Sequence, residues 1–183
     1  MEKFLHYAAF LRGINVGGHK PVKMEELNRI FESLKFKNVK TLIASGNVIF
    51  SVPDKDEKAL AKKIEAKLQK SLGFEIPVMV RTIAEIQEIL QLNPFQKIKA
   101  SPDVKNYVAF LYEKPKVKVK PPKAPPGETW EILAVKDREI YITTRKKADG
   151  HNGFPNNFIE KELGVSATTR NWNTIKKIVQ EDP

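Results

Sequence analysis

The sequence predicts an α+β fold built from two ferredoxin-like (βαββαβ) subdomains in tandem, the second of them degenerate. Three observations lead to this fold class. The first half alternates period-two and helical apolar patterns in the order strand, helix, two strands, helix, strand. The second half repeats that order more loosely. Finally, "HYAAFLR" at residues 6–12 is echoed position by position by "NYVAFLY" at residues 106–112.

The first half opens with a predicted strand at Phe4–Leu11, followed by a glycine-rich loop, "RGINVGGHKP". Apolar residues at helical spacing then predict an amphipathic helix from about Lys23 to Lys35. Two apolar runs meet at Ser45-Gly46-Asn47, and Gly-Asn between β-prone runs is typical of a hairpin.

A second helix follows the hairpin, with Asp54 or Asp56 as its N-cap and Gly73 at its C-cap. The apolar run "EIPVMVRT" predicts the last strand of the first half. A short helix is then expected from Ile83 to Leu92, because Asn93-Pro94 should end it.

The second half begins with the strand "NYVAFLY" and replaces the first helix by a lysine- and proline-rich segment. A hairpin is expected around Lys136-Asp137. Next come a helix with Pro155 at its first position, a short strand "SATT" and a terminal helix "NWNTIKKIVQ". The predicted organisation is subdomain 1 at residues 1–92, a linker at 93–105, and subdomain 2 with its terminal helix at 106–183.

Composition restricts the classes of site. The formal net charge is +10 with a pI near 9.6, which favours anionic partners, although solubility explains positive charge equally well. The absence of cysteine excludes disulfides and zinc–thiolate sites. The three histidines are scattered, so neither a metal nor a cofactor is expected. No signal peptide or membrane-spanning run is apparent, and the expected location is the cytoplasm.

Connectivity predicts a candidate site. In a βαββαβ unit the loop after strand one and the hairpin after strand two leave the same edge of the sheet, and glycine N–H groups with basic neighbours suit a small anion. The candidate ligand-binding residues are Arg12, Asn15, Gly17, Gly18, Lys20, Ser45, Gly46 and Asn47. Known phosphate fingerprints do not fit, since His19 and Lys20 stand where a P-loop needs Lys and Ser/Thr. Alternatively, the glycines only let the chain turn and the asparagines cap backbone groups.

Three segments, "FLRGINVGG", "SGNVIF" and "TTRNWNTI", resemble those of bacterial domain-of-unknown-function family sixteen-ninety-seven over essentially the whole chain. The resemblance implies a duplicated ferredoxin-like fold and no established activity. It adds Arg170, Asn171 and Asn173 to the candidate ligand-binding residues, and the turn "DGHNGFPNNF" departs from the family pattern. Arg170 before a helix N-terminus suits an anion. Asn171 can cap that helix.

Trp172 lies on one helical face with Ile175 and Val179. We therefore expect it to pack in the core and not to stack on a ligand.

The predicted function is binding of a small anionic ligand, such as a nucleotide or phosphate compound. The alternative is binding of RNA or single-stranded nucleic acid by the basic second half, through Lys114–Lys123 with Arg138, Arg145, Lys146 and Lys147. No catalytic constellation is recognisable, because His19 alone offers acid–base chemistry near the candidate site. No reaction is therefore predicted, and the oligomeric state is left open.

Overall fold

The computed structural model describes residues 4–43, 45–53, 56–115, 121, 123–150, 153 and 155–182. These residues form an α+β fold with two four-stranded antiparallel sheets and five helices, which confirms the predicted fold class at that level. The chain divides into two compact units, one formed by Met1–Glu88 with Lys177–Pro183 and the other by Ile89–Lys176. Among the helices described, none has the length and apolar character needed to cross a membrane.

The first unit holds one complete sheet with two covering helices. Its strands lie in the order β2-β3-β1-β4, all antiparallel to their neighbours. Helix α3 follows directly and leads into the second unit. The elements are β1 (Phe4–Leu11), α1 (Met24–Glu32), β2 (Lys37–Leu42), β3 (Asn47–Pro53), α2 (Glu57–Leu72), β4 (Val78–Thr82) and α3 (Ile83–Leu92).

The core of the first unit lies between the sheet and helices α1 and α2. Alternate residues of β1 face it, because side chains of a strand point to opposite faces in turn. A cluster of aromatic rings fills its centre: Phe50 stacks on Tyr7 at 5.7 Å and on Phe36 at 4.6 Å between ring centroids. Phe31 of α1 meets Phe50 edge-on at 5.7 Å. These contacts fix α1, and with it the loop that precedes it, against the sheet.

Local signals set the ends of α2 as predicted. The side chain of Asp56 accepts hydrogen bonds from the backbone N–H groups of Lys58 and Ala59, so Asp56 is the N-cap. Gly73 ends the helix in the left-handed conformation, with a φ of 82°. Helix α1 is shorter than the predicted Lys23–Lys35, since Lys35 itself has a φ of 63° and cannot continue a helix.

The last residues of the chain belong with the first unit. The Nδ1 atom of His6 on β1 lies 2.7 Å from the Oδ1 atom of Asp182. Lys40 on β2 forms an ion pair with Glu181. Both contacts join the carboxyl-terminal segment to the sheet of the first unit, although sequence analysis assigned that segment to the second subdomain.

The second unit repeats the strand order of the first as β6-β7-β5-β8. The described residues between β5 and β6 (112–115, 121 and 123–129) hold no helix, as the lysine- and proline-rich sequence predicts. Residues 116–120 and 122 lie outside the described part of the chain. The elements are β5 (Val104–Leu111), β6 (Trp130–Lys136), β7 (Glu139–Arg145), α4 (Asn156–Leu163), β8 (Ala167–Asn171) and α5 (Trp172–Gln180).

Strand register reproduces the sequence echo between the halves. Tyr7 pairs with Thr82, and Tyr107, one hundred positions later, pairs with Asn171.

Three details at the end of the chain differ from prediction. Strand β8 extends beyond "SATT" to Asn171, Pro155 is the N-cap of α4 and not its first residue, and the third buried residue of α5 is Ile178 and not Val179.

Candidate functional site

The loop after β1 and the β2–β3 hairpin meet at one edge of the first sheet. The backbone N–H of Leu11 donates to the carbonyl oxygen of Gly46 at 2.9 Å. We call this region the loop rim: residues 12–22 of the β1–α1 loop together with residues 43 and 45–47 of the hairpin. The two segments, some thirty positions apart in sequence, are therefore neighbours, as the connectivity predicts.

Gly46 makes the close approach of the two segments possible. A Cβ atom at this position would lie 2.7 Å from Ile14 Cδ1 and 3.0 Å from Leu11 Cβ. Its φ of 79° is also in the left-handed region that favours glycine. Ile14 is buried, with 1% of its surface exposed, and so anchors the first loop against the hairpin.

Asn15 closes the β1–α1 loop on itself. Its Oδ1 atom accepts a hydrogen bond from the backbone N–H of Val22 at 2.8 Å, and its Nδ2 atom donates to the Val22 carbonyl oxygen at 3.0 Å. Its own backbone N–H donates to the carbonyl oxygen of Lys20 at 3.2 Å. The carboxamide thus ties the two ends of the segment 15–22 together.

The tip of that loop is a tight turn over Val16–His19. The backbone N–H of His19 donates to the carbonyl oxygen of Val16 at 3.0 Å. Gly17 and Gly18 have φ values of 57° and 78°, and positive φ at both central positions is the property of a type I′ turn. Both glycines are exposed, so the turn projects from the loop rim and leaves its backbone accessible.

The loop rim carries positive charge without acidic residues: positions 12–22 hold Arg12, His19 and Lys20 and no Asp or Glu. Arg12 is half-buried, and its backbone N–H donates to the Pro77 carbonyl oxygen at 3.0 Å. The ammonium group of Lys20 donates to the carbonyl oxygen of Glu75 at 2.7 Å. Lys20 and His19 are exposed.

Asn47 and Ser45 differ in how they contribute to the hairpin. Asn47 is fully buried, and its Nδ2 atom donates to the Leu42 carbonyl oxygen at 2.9 Å and to the Ser45 hydroxyl at 3.1 Å. These hydrogen bonds bridge the hairpin loop. Ser45 is exposed, so its hydroxyl lies at the surface of the loop rim.

Helix α1 starts close after the loop rim, but its N-terminus is poorly suited to an anion. The N-cap residue, Lys23, makes no side-chain capping hydrogen bond. Glu25 and Glu26 occupy the first turn and already offset the positive end of the helix dipole. Attraction for an anion at this edge comes from the loop cations.

Arg170, Asn171 and Asn173 lie in the second unit. Arg170 is a residue of β8 with only 5% of its surface exposed, and its Nη1 atom donates to Thr168 Oγ1 at 2.7 Å and to the Thr169 carbonyl oxygen at 3.0 Å. Burial lowers the pKa of the Arg170 guanidinium to about 10, which leaves it charged at neutral pH.

Two predictions for the start of α5 are confirmed: Asn171 caps the helix and Trp172 lies in the core. The Oδ1 atom of Asn171 accepts a hydrogen bond from the backbone N–H of Asn173 at 2.9 Å, as a cap of α5 should. Trp172 is 9% exposed and meets Phe95 edge-on at 5.0 Å, so it is a core residue as predicted. Asn173 is exposed on the first turn of the helix.

Comparison with known proteins identifies the family. The family described as "Protein of unknown function (DUF1697)" has a model that matches residues 5–141. The chain belongs to this family. It is also similar to the solved structure of "conserved bacterial protein SP0830 from Streptococcus pneumoniae", at 19% sequence identity and a TM-score of 0.70 over 98% of this chain and 99% of that one. That likeness shows the fold. No curated protein matches the chain.

This DUF1697 protein carries a buried arginine that sequence analysis missed. Arg81 lies at the position of β4 that corresponds to Arg170 on β8, since Ala8 pairs with Arg81 and Val108 pairs with Arg170. Arg81 is 1% exposed, and its Nη1 atom donates to the Val80 carbonyl oxygen at 2.8 Å. Aligning "VRTIAEI" with "TRNWNTI", each an arginine just before a helix, would have revealed the correspondence.

Two aliphatic residues of the loop rim were also missed. Val16 and Ile43 are 64% and 47% exposed, and Ile43 has a φ of 61°. A signal existed for Val16, which is an apolar residue inside a polar, glycine-rich loop. The backbone conformation of Ile43 has no sequence signal.

The basic second half presents fewer unpaired charges than its composition suggests. Lys114 lies 2.8 Å from an Asp137 carboxylate oxygen, and this hydrogen bond and the charge of Lys114 lower the pKa of Asp137. Lys147 lies 3.1 Å from Glu128. Lys116, Lys118 and Lys120 lie outside the described residues. No group of three or more His, Cys, Asp or Glu side chains in the described ranges could hold a metal ion.

Proposed function

We propose that this DUF1697 protein binds a small anionic ligand, such as a nucleotide or another phosphate compound, at the loop rim. The main support is the hydrogen bond between Leu11 and Gly46, because it holds the cationic loop beside the hairpin. A ligand between the two segments would meet charge from one and a hydroxyl group from the other. Such convergence of a few polar groups is typical of small-molecule sites.

Charge supports an anion over a neutral ligand. Arg12, His19 and Lys20 are the titratable residues of the loop rim. Lys20 donates one hydrogen bond to Glu75, and an ammonium group has three donors in all. A phosphate group accepts from arginine and lysine in the charge-assisted geometry that is stronger than a neutral hydrogen bond.

The polar residues of the proposed site divide into contact and positioning roles. Arg12 and Lys20 supply charge, Ser45 supplies a hydroxyl, and Gly17 and Gly18 let a ligand approach the backbone. Asn15, Gly46 and Asn47 position these groups, since their hydrogen bonds and close packing hold the two segments in shape.

We further propose that the two halves of the sequence are ferredoxin-like repeats, joined by a linker at residues 93–105 between the end of α3 and the start of β5. The shared strand order and the matched register of β1 with β5 support this. The family resemblance supports it too. The glycine-rich loop occurs in the sequence of the first repeat, so we assign the proposed site to that repeat.

Isothermal titration calorimetry with inorganic phosphate and ribose 5-phosphate tests the binding proposal. The wild-type chain should bind both compounds, and Arg12→Ala should weaken that binding by about tenfold or more, because it removes a charge-assisted hydrogen bond. Arg29→Ala is the matched control, since Arg29 is an exposed arginine at the other end of α1. Its affinity should equal that of the wild type.

Two results would count against the proposal: no binding of either compound at millimolar concentration, or equal losses in the Arg12 and Arg29 variants. A single-stranded oligonucleotide tests the alternative partner. Affinity that falls steeply with salt, and that weakens when Lys116, Lys118 and Lys120 become Ala while Arg12→Ala has no effect, would favour nucleic acid and contradict the loop rim.

A further inference from the structure

We infer that the ligand of the loop rim carries a flat aromatic ring as well as its anionic group, as a nucleoside monophosphate does and a bare phosphate or sugar phosphate does not. This inference rests on the proposed function and names its substrate class. It comes from two aliphatic side chains and one backbone conformation that anion binding alone leaves unexplained.

Exposed hydrophobic residues are concentrated at the loop rim. Three large hydrophobic side chains are exposed in the described part of the chain: Val16 at 64%, Leu92 at 51% and Ile43 at 47%. Val16 is in the projecting turn and Ile43 is in the hairpin, so two of the three lie on the segments that touch through Ile14 and Gly46. Single exposed hydrophobic residues are ordinary, but these two lie on segments that the Leu11–Gly46 hydrogen bond holds side by side.

The backbone of Ile43 adds an independent observation. Its φ of 61° is in the left-handed region, where a β-branched residue is a genuine outlier. Asn or Gly would occupy this position with less strain, and about half of the Ile43 surface is exposed to solvent. Strained conformations of this kind cluster at active sites and ligand-binding sites.

Size and charge together select the occupant. Two aliphatic side chains offer roughly the contact area of one ring system, whereas a stable protein interface needs about 800 Å² on each partner. The cations Arg12 and Lys20 lie on the same loop as Val16, so a ring held by Val16 and Ile43 would have its anionic group within the charged part of the loop rim. A nucleoside monophosphate has both parts in one molecule.

The hydrogen bonds of the loop rim indicate weak discrimination between bases. The carboxamides of Asn15 and Asn47, which are the groups best suited to read a base edge, are hydrogen-bonded to the backbone of Val22 and Leu42. We therefore expect adenosine and uridine monophosphates to bind with affinities that differ by less than about tenfold.

The decisive experiment compares adenosine 5′-monophosphate with ribose 5-phosphate by calorimetry in four proteins: wild type, Val16→Ser, Ile43→Asn and Leu92→Ser. In the wild type the base should raise affinity by about tenfold, because the face of its aromatic ring is buried against two aliphatic side chains. In Val16→Ser and Ile43→Asn that advantage should fall to about threefold or less, with ribose 5-phosphate unaffected. Leu92→Ser, which changes the third exposed hydrophobic residue, should retain the full advantage.

The outcomes separate this inference from the proposed function. Equal affinity of the two compounds in the wild type overturns the ring contact and leaves anion binding in place. A Val16 or Ile43 variant that weakens both compounds equally also overturns the ring contact, because the side chain then acts on the phosphate or on loop shape. If neither compound binds the wild type, the proposed function fails and the inference fails with it.

Discussion

The backbone N–H of Leu11 donates to the carbonyl oxygen of Gly46 at 2.9 Å, and this contact has a counterpart in the second unit. There the N–H of Leu111 donates to the carbonyl oxygen of Arg138 at 2.8 Å. The acceptor is a glycine in the first unit and an arginine in the second. The contact itself therefore does not require glycine, and the crowding by Ile14 accounts for the difference.

Gly46→Ala should lower the free energy of unfolding by about 3 kcal/mol, since it adds a left-handed alanine and forces a Cβ atom into Ile14 and Leu11. Gly18→Ala is the matched control: its φ is 78°, and nothing lies within 4 Å of the added atom. That variant should lose only about 1 kcal/mol. Urea unfolding of both measures the difference, and equal losses would show that crowding at Gly46 is unimportant.

Asn15 has two separable properties, a φ of 55° and a pair of hydrogen bonds to Val22. Asn15→Ala loses both and should destabilise the protein by about 2 kcal/mol, whereas Asn15→Gly keeps the conformational tolerance and should lose about 1 kcal/mol. Chemical denaturation measures each loss. If alanine were tolerated as well as glycine, the left-handed conformation at position 15 would impose no cost on a residue with a Cβ atom.

The juxtaposition of the two loops could be predicted because connectivity alone determines it. Once residues 4–53 are read as strand, helix, strand pair, the β1–α1 loop and the hairpin must leave the same edge. Local chemistry likewise determined the ends of α2, where Asp56 and Gly73 act as caps regardless of what packs around them. Such signals are contained within a few residues of sequence.

Residue roles at the loop rim and beyond could not be predicted, because they depend on groups distant in sequence or on backbone angles. Nothing in "RGINVGG" states that the Asn15 carboxamide bonds to Val22. Burial of Arg170 depends on the extension of β8 past "SATT", which placed a predicted loop residue in a sheet. As a ligand contact, Arg170 stays a prediction.

Arg170→Lys should lower the free energy of unfolding by about 2 kcal/mol, although it preserves the charge. The shorter, differently shaped lysine side chain does not place its ammonium where the Nη1 atom donates to both Thr168 Oγ1 and the Thr169 carbonyl oxygen. Arg145→Lys, an exposed arginine on β7, is the control and should change stability by less than about 0.5 kcal/mol. Equal stability of the two variants would mean that these two hydrogen bonds of Nη1 make no net contribution.

Tyr141 should make the second unit sensitive to alkali. Burial, followed by the charges of Glu139 and Asp137, raises the pKa of Tyr141 from 10.0 to about 12. The folded state therefore keeps its proton while the unfolded state loses it, so stability present below pH 10 is lost as the pH rises towards 12. The loss should be on the order of 1 to 2 kcal/mol, allowing for partial solvent screening.

Urea unfolding of the wild type and Tyr141→Phe at about pH 8 and about pH 11 measures this effect, and the variant should lose less stability between the two conditions. Tyr107→Phe is the comparison. Burial raises the pKa of Tyr107 as well, but a hydrogen bond with Asn171 opposes the shift, so its removal should change the alkaline loss less. Parallel behaviour of wild type and Tyr141→Phe would contradict the assignment.

Ile43→Asn separates stability from binding at the loop rim. Asparagine tolerates the left-handed conformation that strains isoleucine at a φ of 61°, and Ile43 is 47% exposed, so little burial is lost. The free energy of unfolding should stay unchanged or rise by about 1 kcal/mol, while affinity for a nucleoside monophosphate falls. Val16→Asn should lose the same affinity without any gain in stability, because Val16 has no positive φ to relieve. A loss of stability in Ile43→Asn together with unchanged nucleotide affinity would identify Ile43 as a packing residue and remove the strain argument for a ligand there.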